Sequence, residues 1–240
     1  MESDWTFFGA SAASIKRGAT AGITPPRSQG TNLFTLGFHS QVTGTDAVGF
    51  YKNGTNFAPL KDDLGAATGC VVEGVLYRGG GTTLTGYSIG LFGCLQAATK
   101  TDVGYLLGLS DNSPHEIVLA KTTIGAGLDP TAITVLRKSG ATYSAGTWLH
   151  VRLEVIVNPN GDVVLKVKQH NIETGYADDT NPTWASISGM TDYIDDALGI
   201  NAKLTGYTAP LAGGYAGAFF QSEGNGRTGA IDRLRVARAK

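Results

Sequence analysis

Residues 148–170 read WLHVRLEVIVNPNGDVVLKVKQH. Apolar side chains take alternate positions at Leu149, Val151, Leu153, Val155 and Val157, then again at Val163, Leu165 and Val167. A two-residue period belongs to a β-strand with one buried face. Between the two runs lies Asn158-Pro159-Asn160-Gly161-Asp162. Proline suits the second position of a type I turn and glycine the left-handed position that follows, which predicts a three-residue loop with a bulge. Such a loop pairs Asn158 with Asp162, and so Val157 with Val163, Val155 with Leu165 and Leu153 with Val167. Every apolar residue then shares one face, and a slip of one residue would turn them all to water. On the other face Glu154 stands opposite Lys166 as a favourable cross-strand pair, and His150 opposite His170 at the open end.

Comparable runs recur along the chain: Leu33–His39, Ala47–Lys52, Cys70–Tyr77, Tyr87–Leu95, Gly104–Leu109, Glu116–Thr122, Ile133–Arg137, Ala216–Ser222 and Ala230–Ala237. Glycine, asparagine, aspartate and proline clusters separate them. This spacing predicts an all-β fold, a two-sheet antiparallel jelly-roll sandwich. Thr191–Leu198 alone reads as a short surface helix, with Thr191 as N-cap and Gly199 as its stop. The 240 residues fit one sandwich domain over 33–240, preceded by an irregular stretch over 1–32. Within that stretch Ser14–Ile23 reads either as an edge strand ended by Pro25-Pro26 or as an extended arm.

Charged residues make up 16% of the chain against a usual share of roughly 25%, glycine occurs 34 times, and the net charge is −1. That balance lacks the basic stripe that phosphate contacts require, so nucleic acid is not an expected partner. Met1-Glu2-Ser3-Asp4 is acidic where a secretory signal is basic, and no window approaches the roughly 20 apolar residues of a membrane span. The chain is therefore expected to be made and kept in an aqueous compartment. Cys70 and Cys94 flank Gly79-Gly80-Gly81. If Cys70–Arg78 and Gly86–Cys94 form a hairpin, the two face each other, either as a cross-strand disulfide or as buried thiols. The absence of a signal favours the thiols.

Catalytic patterns are missing, and no catalytic, cofactor-binding or metal residue is assigned. Retaining glycoside hydrolysis needs two carboxylates roughly 5 Å apart, yet Glu2, Glu73, Glu116, Glu154, Glu173 and Glu223 are all solitary in sequence. Gly108-Leu109-Ser110-Asp111-Asn112 lacks the second glycine of a nucleophile elbow. His39, His115, His150 and His170 never fall at zinc spacing, and the facing His150 and His170 read as solvated. Asp62-Asp63 and Asp192, Asp195, Asp196 are oxygen-rich enough for calcium, although a solvated turn and a helix start explain them more simply. Asn53-Gly54-Thr55 reads as a turn, and Gly79–Gly81 has no lysine or helix to cradle phosphate.

Gly146-Thr147-Trp148-Leu149-His150-Val151-Arg152-Leu153 resembles the G-x-W-x-H-V-x-L strand of concanavalin A-like (laminin-G-like) jelly rolls. Gly229-Ala230-Ile231-Asp232-Arg233-Leu234-Arg235-Val236 resembles their closing strand. The resemblance implies that Trp148 packs in the core and that Asp232 satisfies backbone donors, so neither is a functional candidate. In style the chain is also similar to jelly-roll proteins of tailed-bacteriophage particles. That likeness implies a non-enzymatic virion structural protein (capsid decoration, tail or baseplate module) that binds other virion proteins and forms a homo-oligomer. The stretch to Asn32 would contribute contacts between chains. The alternative is a lectin-like module that binds cell-surface glycans through exposed aromatics, for which Trp184 and Tyr193 are the candidates.

Overall fold

The computed structural model describes residues 5–9, 15–17, 34–37, 46–52, 69–78, 87–110, 115–128, 133–144, 147–170, 183–200, 208–222 and 228–239. Its strands are β1 (Trp5–Gly9), β2 (Ile15–Arg17), β3 (Phe34–Gly37), β4 (Asp46–Lys52) and β5 (Gly69–Arg78). They continue with β6 (Tyr87–Leu95), β7 (Val103–Ser110), β8 (Ile117–Thr123), β9 (Val135–Lys138) and β10 (Trp148–Val157). Last come β11 (Val163–His170), β12 (Ala185–Ser186), β13 (Tyr193–Asp195), β14 (Tyr215–Ser222) and β15 (Thr228–Arg238). They form two antiparallel sheets. One has seven strands in the order β1-β4-β14-β6-β7-β8-β9; the other has eight, in the order β12-β11-β10-β5-β15-β3-β2, with β13 also on β11. From the N-terminal stretch, β1 and β2 lie at edges of opposite sheets, and Phe7 and Trp5 of β1 pack on Phe50, with ring centroids 5.6 and 5.9 Å away.

The hairpin has the predicted register, with Val157 on Val163, Val155 on Leu165 and Leu153 on Val167. Its loop closes through Asn158 N–H to Asp162 O (2.8 Å) and Gly161 N–H to Asn158 O (2.9 Å), and Gly161 has a φ of 92° that suits glycine. The odd-numbered residues of β10 and β11 turn inward. Between the sheets they meet Phe50, Ile89, Leu91, Leu107, Leu119 and Phe220, all of them buried. The expected Glu154–Lys166 ion pair is not formed. Glu154 Oε1 lies 2.9 Å from Arg152 Nε on its own strand, and Lys166 reaches Asp192 of the neighbouring segment at 3.8 Å.

The cysteines depart from the hairpin expectation. β5 and β6 belong to different sheets, so Cys70 and Cys94 approach each other across the core rather than across one sheet. The pairing of β14 with β6 skips a residue between Tyr215 and Gly217, and Cys94 takes a left-handed φ of 54°. This bulge turns Cys94 inward beside Cys70. Both are buried free thiols, and the hydrogen bond to Cys70, together with burial, pushes the Cys94 thiol well above its ordinary range.

Thr191–Leu198 is not a helix. Tyr193 and Asp195 point inward and Ile194 outward, the two-residue period of β13 against β11. Tyrosine and isoleucine favour strand, and pairing with Val163–Leu165 overrides a weak helical cap. The strand delivers Asp195 to a buried network. Tyr105 Oη and Lys121 Nζ each donate to Asp195 Oδ2 at 2.6 Å, and Tyr105 Oη accepts from Leu211 N–H at 2.9 Å. Burial and the Asp195 carboxylate push the Tyr105 hydroxyl well above its ordinary range. The outer face of the seven-stranded sheet is apolar as well: Phe92, Leu106, Val118 and Phe219 lie buried with Ile124 and Leu128. Readings at His39, Asn53-Gly54-Thr55, Asp62-Asp63 and Gly79–Gly81 lie outside the described residues.

Two measurements test this packing. Leu153→Ala should cost roughly 2–5 kcal/mol in a denaturant melt and Lys166→Ala less than about 1 kcal/mol. Equal losses would contradict the register. Alkylation should add two labels in denaturant without any reductant and none to the native chain on the same timescale. Labelling that waits for reductant would mean a disulfide.

Candidate functional site

The inward turn of the odd residues on β10 sends the even ones outward. Its neighbour β5 places Arg152 opposite Glu73 and Glu154 opposite Val71. On the far side of β5, β15 contributes Arg235, opposite Glu73. Strict alternation from Asp232, opposite Val75, would leave Arg235 facing the core. One extra residue between Asp232 and Arg235, with Arg233 at a left-handed φ of 52°, reverses that. Asp232 Oδ1 accepts from Arg233 N–H at 2.9 Å and holds the bulge, the backbone role that the resemblance implies.

The result is a cleft of about 390 Å³ on the outer face of the eight-stranded sheet, with Val71, Ile156 and Ala237 on its floor and Glu73, Arg152, Glu154, Arg235 and Arg238 around it. Arg235 Nη1 lies 3.4 Å from Glu73 Oε1. The two glutamates are solitary in sequence. They become diagonal neighbours only because β5 and β10 pair.

Trp184 stands beside this cleft. Its segment docks on the hairpin through Gln169 opposite Ala185, Lys168 opposite Ser186, and His170 Nδ1 at 3.0 Å from Thr183 O. The indole packs edge-on against His150, with centroids 4.7 Å apart, and the Arg152 guanidinium lies 5.5 Å from its centroid. Arg152 therefore belongs to both the cleft wall and the aromatic platform. His150 and His170 do face each other, at 5.7 Å, but they are buried under this segment rather than solvated. Trp184 itself stays half-buried.

The other candidates go elsewhere. Tyr193 is buried under the Arg137 guanidinium, 4.9 Å from its ring centroid, and offers no exposed face. Trp148 is not in the core between the sheets. It is even-numbered, so it packs on the outer face against Tyr77 at 4.9 Å, with Val75 and Ala230. Asp192, Asp195 and Asp196 diverge: Asp192 approaches Lys166, Asp195 holds Tyr105 and Lys121, and Asp196 Oδ1 accepts from Ile200 N–H at 2.6 Å. Among the described residues no three His, Cys, Asp or Glu side chains cluster as a metal site. Ser110 is buried at the end of β7, where its N–H bonds Glu116 O at 3.2 Å.

Of the residues at this cleft and its margin, Trp184 stands out in the sequence as a candidate, whereas Arg152 and Arg235 do not and Glu73 and Glu154 read as solitary. The outward positions of the hairpin were the available signal, because His150, Arg152 and Glu154 are all polar on a strand whose other face is core.

In this setting three arginines and two carboxylates offer planar donors and acceptors beside an aromatic face. Such a set suits a polar, hydroxyl-rich ligand with apolar patches.

No protein-family model matches the chain, and no curated protein matches it in sequence. Solved structures do match in shape. The exoplasmic/lumenal domain of VIP36, solved with Ca2+ and Man3GlcNAc, aligns over 100% of this chain and 86% of its own at 12% identity and a TM-score of 0.53. The potassium-bound carbohydrate recognition domain of Emp46p aligns over 100% of this chain and 90% of its own at 10% identity and a TM-score of 0.51. At such identities the likeness is one of fold, and together with the two antiparallel sheets it gives the chain a concanavalin A-like jelly-roll β-sandwich.

Proposed function

We propose that this domain binds carbohydrate on the outer face of its eight-stranded sheet, with Trp184 as the stacking platform and Arg152, Glu154, Glu73 and Arg235 as hydrogen-bonding partners. The observation that carries the reading is the placement of a half-buried indole beside an open cleft ringed by paired charged side chains. Two solved structures of the same fold, the carbohydrate recognition domain of Emp46p and the VIP36 domain bound to Man3GlcNAc, support it by analogy. Arginine and glutamate reach sugar hydroxyls with complementary donors and acceptors, and an indole covers the apolar face of a pyranose.

A virion component, which the likeness in style to tailed-bacteriophage jelly-roll proteins implies, is the second reading. Ile194, Leu198 and Ile200 are 51%, 86% and 74% exposed, an apolar patch suited to contact with another protein. A host-recognition module of a phage particle would combine both roles.

A glycan array with the full chain, followed by calorimetry on the best ligand, tests the proposal. Trp184→Ala should leave the melting temperature within a few degrees of the parent and weaken binding about tenfold, or ~1.4 kcal/mol. An array without any bound glycan, or a Trp184→Ala chain that binds as tightly as the parent, would overturn it.

A further inference from the structure

Two features of the cleft go beyond sugar recognition in general. The first is charge. Arg152, Arg235 and Arg238 line it against Glu73 and Glu154, three guanidinium groups against two carboxylates. Glu154 lies beside Arg152 and Glu73 beside Arg235, whereas Arg238 forms no ion pair among the described residues. One positive charge is left over. The second feature is the place of Arg152: its Nε is buried against Glu154 Oε1 at 2.9 Å, while its guanidinium lies 5.5 Å from the Trp184 ring centroid, so one planar cation faces both the cleft and the indole.

Resting on the carbohydrate reading above, we infer that the cleft takes an anionic sugar whose carboxylate or sulfate lies in the field of Arg152, Arg235 and Arg238. A guanidinium matches such oxygens in geometry as well as charge, which an ammonium does not. Trp184 would then hold the ring of the same or the adjoining sugar, since Arg152 touches both the cleft and the indole. Neutral sugars would leave the surplus charge uncompensated.

The test uses the full chain and matched oligosaccharides of equal length and linkage: uronate-bearing, sulfated, and the carboxyl-reduced neutral partner of the first. At least one anionic arm should bind tenfold or more tightly than its neutral partner, and raising the salt should narrow that gap. The arm that binds distinguishes carboxylate from sulfate. Arg152→Lys, which keeps the charge but loses the planar guanidinium, should lower the preference for the anion severalfold. Arg238→Gln, at an exposed position, should lower it as well without a change in melting temperature. Neutral partners bound as tightly as anionic ones would overturn this inference and leave the carbohydrate reading standing. If no arm binds and the array is also blank, both fall.

Discussion

Everything in the site depends on one constraint, the two-residue period of β10 held between β5 and β11. Leu149, Val151, Leu153, Val155 and Val157 are worth burying only together, and their burial fixes which way every intervening side chain points. His150, Arg152 and Glu154 face outward as a consequence of core packing. The site is thus the reverse side of the hydrophobic core, and the same register specifies both.

This dependence explains what could be read from residues alone. Turn chemistry and alternation agreed over 148–170, so the hairpin register was legible to the residue, as was the two-sheet class. The partners across β5 and β15 were not. Pairing between strands roughly 80 residues apart leaves no local mark, so Glu73 and Glu154 looked solitary. The two bulges were equally silent. Cys94 and Arg233 adopt left-handed backbones at φ values of 54° and 52°, where a non-glycine residue gives no warning. One bulge brings a thiol into the core and the other carries Arg235 to the cleft. Thr191–Leu198 misleads for a related reason: a plausible cap competes with the strand preference of Tyr193 and Ile194, and the edge of β11 that decides between them leaves no local mark in the sequence.

The two sheets divide their labour. The outer face of the seven-stranded sheet is closed by Ile124 and Leu128 over Phe92, Leu106 and Phe219, with Phe8, Tyr51 and Tyr215 half-buried at its margin. The outer face of the eight-stranded sheet stays open around the charged cleft. Between the sheets, the Tyr105–Asp195–Lys121 network ties β7, β8 and β13 together. Removing one partner from such a buried pair strands a charge, at a typical cost of about 3–5 kcal/mol. The edge segment around β13 is therefore anchored, as the docking of Trp184 requires of its surroundings.

The assignment of ligand binding to one face is the claim on which the functional account stands, and chemical-shift mapping tests it most directly. An oligosaccharide that binds is titrated into the isotope-labelled chain. Binding on the eight-stranded sheet should shift the Trp184 indole N–H and the amides of Glu73 and Arg152. Shifts confined to Phe8, Tyr51 and Tyr215 on the opposite sheet, with Trp184 unmoved, would contradict it.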